Sequence, residues 1–443
     1  MGFVLSLALA SVCLGIALDP AVSAALPPNE LPSSLQIDVC GPNSINDNWI
    51  SAKSPYNVTC DAALLPGVTL EIKPGVEVRF TAGVSLTISG TLRALGLPSQ
   101  PIAFTSDREE PAPGDWNGLH FVAGSSDSNL AWCVVEYATV GVQVKAGPGE
   151  TVSPAFSDCI LRRNSGHGFE LEGYASGCDA ALAQPTITGC TIEYNGECGI
   201  YGYGYGDQYD DCQPDQGTGG IGGTVSGSII RDNQGPGIYL LSDLERYSLG
   251  DVWTTIGANV ISDNAGHGMH LDGDGLVQPR IENNLIYGNA GAGIQSDAYH
   301  HSTDLYVVNN TVHDNGGPGL AFNKSALLVH LTHNIVSTNG SYGLVCLTEG
   351  PLSSHNDLWS NAAGDYSDCT PGITDISADP LLLDPAAGDF HLAFGSPCID
   401  AGTSTDAPAV DVDGITRPQG GGVDIGAHEQ GLWRTYLPIT LRQ

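Results

Sequence analysis

The chain is poor in positive charge. Among 443 residues it holds 15 Lys and Arg against 49 Asp and Glu, a formal net charge of −34. Nucleic-acid binding needs a basic footprint that replaces the counterions around phosphate, so that class is excluded. Anionic membrane surfaces are disfavoured for the same reason. Methionine numbers 2 and aromatics 7%, and no amphipathic stretch of helical period reaches useful length, which excludes helical bundles. No Cys-x-x-Cys pair exists, so a thiolate metal knuckle is not expected. Long apolar runs are missing too. The stretch Phe3 to Leu18 is too short for a confident membrane span, and the small-residue pattern Val22-Ser23-Ala24 follows it. Residues 1–24 therefore read as a secretory signal peptide, although without a basic leader. The acidic balance suits an exported, soluble protein, and one able to attract divalent cations.

What is abundant is glycine, with 58 copies, and one recurring phrase: aliphatic–x–x–Asn–x–x–x–Gly–aliphatic. Its anchors are Asn164, Asn195, Asn233, Asn264, Asn289, Asn315, Asn339 and Asn361, separated by 31, 38, 31, 25, 26, 24 and 22 residues. Three residues earlier stands an aliphatic residue every time, from Leu161 to Leu358, so that column points into a core. Five residues earlier stand Cys159, Cys190, Ser228, Asn259, Asn284, Asn310, Asn334 and Asn356. In stacked parallel strands like positions lie about 4.8 Å apart, close enough for each amide to donate to the next copy. Asn also tolerates a left-handed turn, and the Gly after it is expected at positive φ. These columns predict an all-β fold: a single-stranded right-handed parallel β-helix, a solenoid of roughly ten to twelve coils with N- and C-terminal caps. The expected organisation is a linker and cap over 25–66, the β-helix over 67–365, a C-terminal cap over 366–430 and a tail over 431–443.

Loss of the signal peptide removes Cys13 and leaves an odd number of cysteines. Three pairs are placed for disulfides in an oxidising compartment. Cys159 and Cys190 share a column on neighbouring coils, Cys346 and Cys369 lie about one coil apart, and Cys40 and Cys60 pin the N-terminal cap.

Two stretches carry a resemblance. LEIKPGVEVRF, LTISGTLRALG, PIAFTS and GDWNGLHF are similar to the opening coils of secreted bacterial β-helix proteins of the pectin-lyase-like superfamily. DPLLLDPAAGDFHLAFGSPCIDAGT and DVDGITRPQGGGVDIGAHE, within Asp379–Glu429, resemble the choice-of-anchor Q domain, which implies export or attachment at the cell surface. Asp411, Asp413, Arg417, Asp424 and Glu429 are expected there as an Arg–carboxylate network, with a calcium site as the rival reading.

Counting from the asparagines gives two outward columns. The first reads Glu170, Tyr201, Tyr239, His270, Gln295, Ala321 and Val345; the second reads Glu172, Tyr203, Leu241, Asp272, Asp297, Asn323 and Leu347. Asp272, Asp297 and Asn323, with Asp274 beside them, offer oxygen ligands to a hard cation such as Ca²⁺. The resemblance implies β-elimination of the polysaccharide-lyase type, with Lys324, Arg280 and His270 as candidate catalytic residues. The insertion Tyr201–Gln216 adds Tyr203, Tyr205 and Tyr209 to Tyr201, and Tyr239 and Gln295 complete a sugar-binding set. The plainer account of all these positions is that outward residues are polar because they face water. The Gly-His-Gly triplets at 166–168 and 266–268 belong to the repeat, and the polygalacturonase Asn-Thr-Asp motif is absent, so paired-acid hydrolysis is disfavoured. Adjacent His300 and His301 in a loop are weak metal candidates. The expected partner is a polysaccharide or cell-surface glycan, with no organic cofactor, no membrane span and a monomeric state. The alternative is a non-catalytic adhesion or structural module, favoured by the scarcity of basic residues.

Overall fold

The computed structural model describes residues 37–43, 46–207, 218–245, 250–252, 254–297, 303–323, 327–346 and 351–431. Within these, each coil lays down three short strands that pair in parallel and in register with the next coil. Ala155–Ser157, Ile160–Arg162 and Phe169–Ser176 form one coil, and Thr186–Thr188, Thr191–Glu193 and Ile200–Asp207 form the next. Phe156 lies over Ile187, Leu161 over Ile192 and Phe169 over Ile200. The described strands make one 24-stranded, one 12-stranded and one 5-stranded sheet, and the antiparallel pair Leu382–Asp384 with Asp389–Leu392 stands apart. The fold is a right-handed parallel β-helix. Pairing begins earlier than the expected residue 67: Ile37 already sits over Tyr56 and Asp47 over Leu70, so the described residues of the segment assigned to a linker and cap, from Ile37 on, already pair with the solenoid strands.

The aliphatic column is the core. Leu161, Ile192, Ile230, Ile261, Ile286, Val312, Val336 and Leu358 are each 0% exposed, and burial of each side chain contributes roughly 1.5–3 kcal/mol. Beside it run two amide ladders. From Asn164 to Asn361 each Nδ2 donates to the Oδ1 of the next coil at 2.9–3.0 Å. The same oxygen accepts the backbone N–H of the previous asparagine, and the second amide hydrogen goes to a backbone carbonyl, as from Asn195 to Leu161 at 3.2 Å. Asn259, Asn284, Asn310, Asn334 and Asn356 form the second ladder in the same way. Both ladders end on an acceptor-only group. Asn361 donates to Asp365 at 3.0 Å and Asn356 to Asp375 at 3.1 Å, so each row of aligned amide dipoles terminates in a charge-assisted bond.

Two expectations about the turns are corrected. The left-handed residue is not the ladder asparagine but the one before it, as at Asp232, Asp263 and Asp314, with φ of 55°, 56° and 50°. The glycine after each asparagine is not there for positive φ. A Cβ on Gly199 would lie 2.6 Å from Ile230 Cγ2 and 2.7 Å from the Gly237 carbonyl oxygen of the next coil; close stacking of coils requires it.

Cys40–Cys60 and Cys346–Cys369 are disulfide-bonded, with Cα–Cα distances of 5.0 and 5.3 Å. Cys159 and Cys190 are not bridged; with Cys133 they are buried free thiols. They occupy the slot that asparagine holds on later coils. Cys159 donates to the Ser157 carbonyl at 3.3 Å and Cys190 to that of Thr188 at 3.6 Å.

The C-terminal segment does more than close the end. Asp365, Asp375 and Ile376 cover the last coil, where Leu358 N donates to Ile376 O at 3.1 Å. The chain then runs back along a flank of the solenoid. Asn309 donates to the carbonyls of Asp424 and Gly426, Asn283 to that of Val410, and Thr403 N to His333 Nε2. Phe390, Leu392, Cys398, Ile425 and Ala427 cover the outward apolar residues Leu285 and Ile335. Arg417 and Glu429, each 1% exposed, pair at 3.1 Å inside this strap. Arg417 also donates to the carbonyls of Asp424, Gly426 and Ala427, so the buried cation is paired as the Arg–carboxylate reading expects, with its Nε left without a partner.

Candidate functional site: a ring-lined acidic strip

Strands Phe169–Ser176, Ile200–Asp207, Ile238–Glu245, Met269–Gly273 and Ile294–Ser296 stack on one outer face. Their alternation sends Phe169, Ile200, Ile238, Met269 and Ile294 inward. The residues between are set in register outside: Glu170 over Tyr201, Tyr201 over Tyr239, Tyr239 over His270, His270 over Gln295. The rings meet. His167 stacks on Tyr201 at 4.8 Å between centroids and Tyr239 on His270 at 4.7 Å, while Tyr201 meets Tyr239 edge-on at 5.6 Å. Beside this row Tyr174 stacks on Tyr205 at 5.3 Å, and Tyr203 and Tyr205 lie 6.0 Å apart.

Carboxylates border the rings and orient them. Tyr203 donates to Asp243 at 3.3 Å and Tyr239 to Asp272 at 3.1 Å. Burial, and then those carboxylates, push both phenols up, so they remain neutral donors. Lys145 is tied to Glu172 at 2.7 Å and Gln143 to Glu170 at 3.1 Å. Asp297 is the most strongly held acid. Burial raises its pKa, but hydrogen bonds from Asn323, His270 and Gln295 outweigh that and lower it; His270 Nε2 lies 2.9 Å and Asn323 Nδ2 2.9 Å from its oxygens. His267, beside His270, is pushed down by burial and by its neighbour's charge, and it accepts the Ala292 N–H at 2.9 Å.

The expected site residues therefore divide. Tyr201, Tyr203, Tyr205, Tyr239, His270, Gln295, Asp272, Asp297 and Asn323 share the face. Asp274 lies in an exposed bend after Gly273. Arg280 is elsewhere: it begins a strand of the twelve-stranded sheet, donates to the Asp406 carbonyl at 2.7 Å and lies over Tyr306. After Gly273 the coil has turned a corner, so an arginine close in sequence belongs to another face. Lys324, Tyr209, His300 and His301 lie outside the described residues. Sequence reasoning missed His167, His267, Tyr174 and Asp243; the Gly-His-Gly histidines were visible as a repeat slot, but not as rings leaning into the strip.

The arrangement does not fit a calcium ion as it stands. Both oxygens of Asp297 face N–H donors, and Asp272 accepts from Tyr239 and from the Gly273 N–H. Among the described residues, the group of three His, Cys, Asp or Glu side chains with ligand atoms within 4.8 Å of one another is His391, Asp413 and His428, away from this face.

Residues 176–358 match the family profile described as the right handed beta helix region, and residues 43–147 match that of the pectate-lyase like beta helix domain. No curated protein matches the chain. Similar solved structures include the periplasmic alginate epimerase AlgG, 16% identical over 73% of this chain and 77% of that one, with a TM-score of 0.46. Others are the A-module of the Azotobacter vinelandii mannuronan C-5 epimerase AlgE4, at 12% identity, 71% and 91% coverage and 0.39, and pectate lyase Pel9A, at 16%, 83% and 89%, and 0.40. At such identities and scores the likeness says nothing about activity. No helix among the described residues is long and apolar enough to cross a membrane.

Proposed function

We propose that this chain is an exported or cell-surface protein that binds an extracellular polysaccharide along the strip of Tyr201, Tyr239, His270 and Tyr203. One observation carries the reading: outward rings stand in register on consecutive coils, with carboxylates at their edges. Aromatic faces stack on sugar rings, and bordering carboxylates accept hydroxyl hydrogens. A rigid solenoid presents both without an ordering cost. The acidic border favours a neutral or amino-bearing polymer over a polyuronate unless a cation lies between them. Retention on insoluble neutral polysaccharides, compared with pectate and alginate with and without Ca²⁺, tests this. Loss of retention in Tyr239→Ala is the expected result, and no retention of the wild type on any polymer opposes the reading.

Cleavage by Ca²⁺-assisted elimination is the finer version, with His270 and Lys324 as its groups. The N–H donors around Asp297 and the distance of Arg280 favour the non-catalytic module instead. Appearance of ultraviolet-absorbing unsaturated uronides with Ca²⁺ present, lost in Lys324→Ala, distinguishes the two. Surface attachment through the C-terminal segment is proposed on its resemblance alone.

A further inference from the structure

The C-terminal strap holds a second constellation, unrelated to the ring-lined strip. His391 sits on the strand Asp389–Leu392, Asp413 in the turn after Asp411, and His428 on the segment that packs against the solenoid. His391 Nε2 lies 2.9 Å and His428 Nε2 3.7 Å from the same oxygen, Asp413 Oδ2, and the two imidazole centroids are 4.0 Å apart. On its other side His391 Nδ1 is 2.7 Å from Asp389 Oδ1.

His428 is the telling residue. It is 5% exposed, its Nδ1 is buried without a partner, and its Nε2 is beyond hydrogen-bond distance of Asp413. A buried ring nitrogen that forgoes its hydrogen bond is costly, and here Nε2 lies toward a carboxylate and a second imidazole. The groups are also held in place. Asp411 Oδ1 accepts the backbone N–H of Asp413 and of Ile415, and its Oδ2 accepts that of Glu429, next to His428. One buried carboxylate thus fixes the backbone beside two of the three side chains.

We propose that His391, Asp413 and His428 form a binding site for a divalent transition-metal ion of the Zn²⁺ class, with Asp389 orienting His391. Two imidazoles and one carboxylate suit such an ion better than a hard cation. Ligand atoms about 2.0–2.1 Å from a tetrahedral zinc ion stand roughly 3.3 Å apart, a value that the observed 2.9 and 3.7 Å separations bracket. A histidine ligand that gives its other ring nitrogen to a carboxylate is a recurring feature of metal sites. The ion takes the place of the proton that His391 Nε2 shares with Asp413, and that proton passes to the buffer. Half-exposed His391 and Asp413 leave the fourth position open to water. The bound ion cross-links three separate stretches of the strap, so it stabilises the strap and not the ring-lined face.

Titration of the chelator-stripped full chain with ZnCl₂ by calorimetry tests this, with Co²⁺ substitution as a spectroscopic reporter. The expected result is one ion per chain, proton release seen as a buffer-dependent enthalpy, and tetrahedral Co²⁺ absorption bands. His391→Gln, whose side chain is half exposed and leaves the core intact, weakens binding at least tenfold, and Asp389→Asn weakens it tenfold to a hundredfold. His428→Asn gives the same loss if it folds; if it does not, the His391 and Asp389 variants carry the test. Absence of stoichiometric binding, or unchanged affinity in His391→Gln, overturns the proposal.

Discussion

The inner ladder and the outer strip run along the same coils and obey opposite rules. Inside, one residue type repeats without a break from Asn164 to Asn361, every amide finds its partners, and both rows end on an aspartate. Outside, the column that starts at Glu170 changes chemistry at nearly every coil: carboxylate, two phenols, imidazole, amide, then Ala321 and Val345. Repetition is what stacking needs; variation is what recognition needs. In a solenoid the informative positions are those where the repeat holds geometry and lets identity change.

That contrast can be broken first at the ladder. Asn289→Ala takes one hydrogen-bond partner each from the Asn264 amide, the Asn264 backbone N–H, the Ile261 carbonyl and the Asn315 oxygen in a dry interior. A loss of about 3–5 kcal/mol in chemical denaturation is expected; a loss below about 1 kcal/mol contradicts the ladder's role. Gly199→Ala forces a methyl group against Ile230 and the Gly237 carbonyl, and overpacking of this kind costs roughly 1–3 kcal/mol. Unchanged stability there shows that the coils yield more easily than their spacing implies.

The strap sharpens the comparison through pH. His333, fully buried, is pushed down to about 4 by burial, then by the charges of His355 and Arg417; its Nε2 accepts the Thr403 N–H. The unfolded chain takes up a proton near pH 6.5 that the folded one refuses. The neutral form's stability is therefore whole above pH 6.5 and is lost as pH falls toward 4, by roughly 2–3 kcal/mol. Asp357 and Asp424, each raised to about 6 mainly by burial, act in the opposite sense between pH 6 and 4. Comparison with His333→Asn isolates the histidine, because asparagine already fills the same left-handed slot at Asn283 and Asn309. Denaturation midpoints from pH 7 to 4 should fall less steeply in the variant, and parallel curves oppose the assignment.

How much of this was legible follows from range. The aliphatic column, both ladders and the outward columns lie within one or two coils, so subtraction along the sequence finds them. Cys346 and Cys369 were found the same way. Cys159 and Cys190 share a column too, but there the thiols serve as ladder rungs, and shared position does not imply a bond. The strap was illegible: Asn309 meets Gly426 across 117 residues, and no period connects them. Apolar outward residues such as Leu285 and Ile335 were the trace it left, since a solvent-facing column has no reason to hold them. Arg280 failed for a related reason, because proximity in sequence ends where the coil turns a corner.

The central claim, that the ladder builds and the strip binds, meets its most direct test in one variant. Tyr201→Ala/Tyr239→Ala removes two outward rings and no ladder contact, so its denaturation midpoint should stay within about 1 kcal/mol of the wild type. In affinity electrophoresis through gels containing the retained polysaccharide, the account predicts wild-type retardation and its loss in the double variant. Retardation that survives both substitutions places binding elsewhere on the chain and contradicts the account.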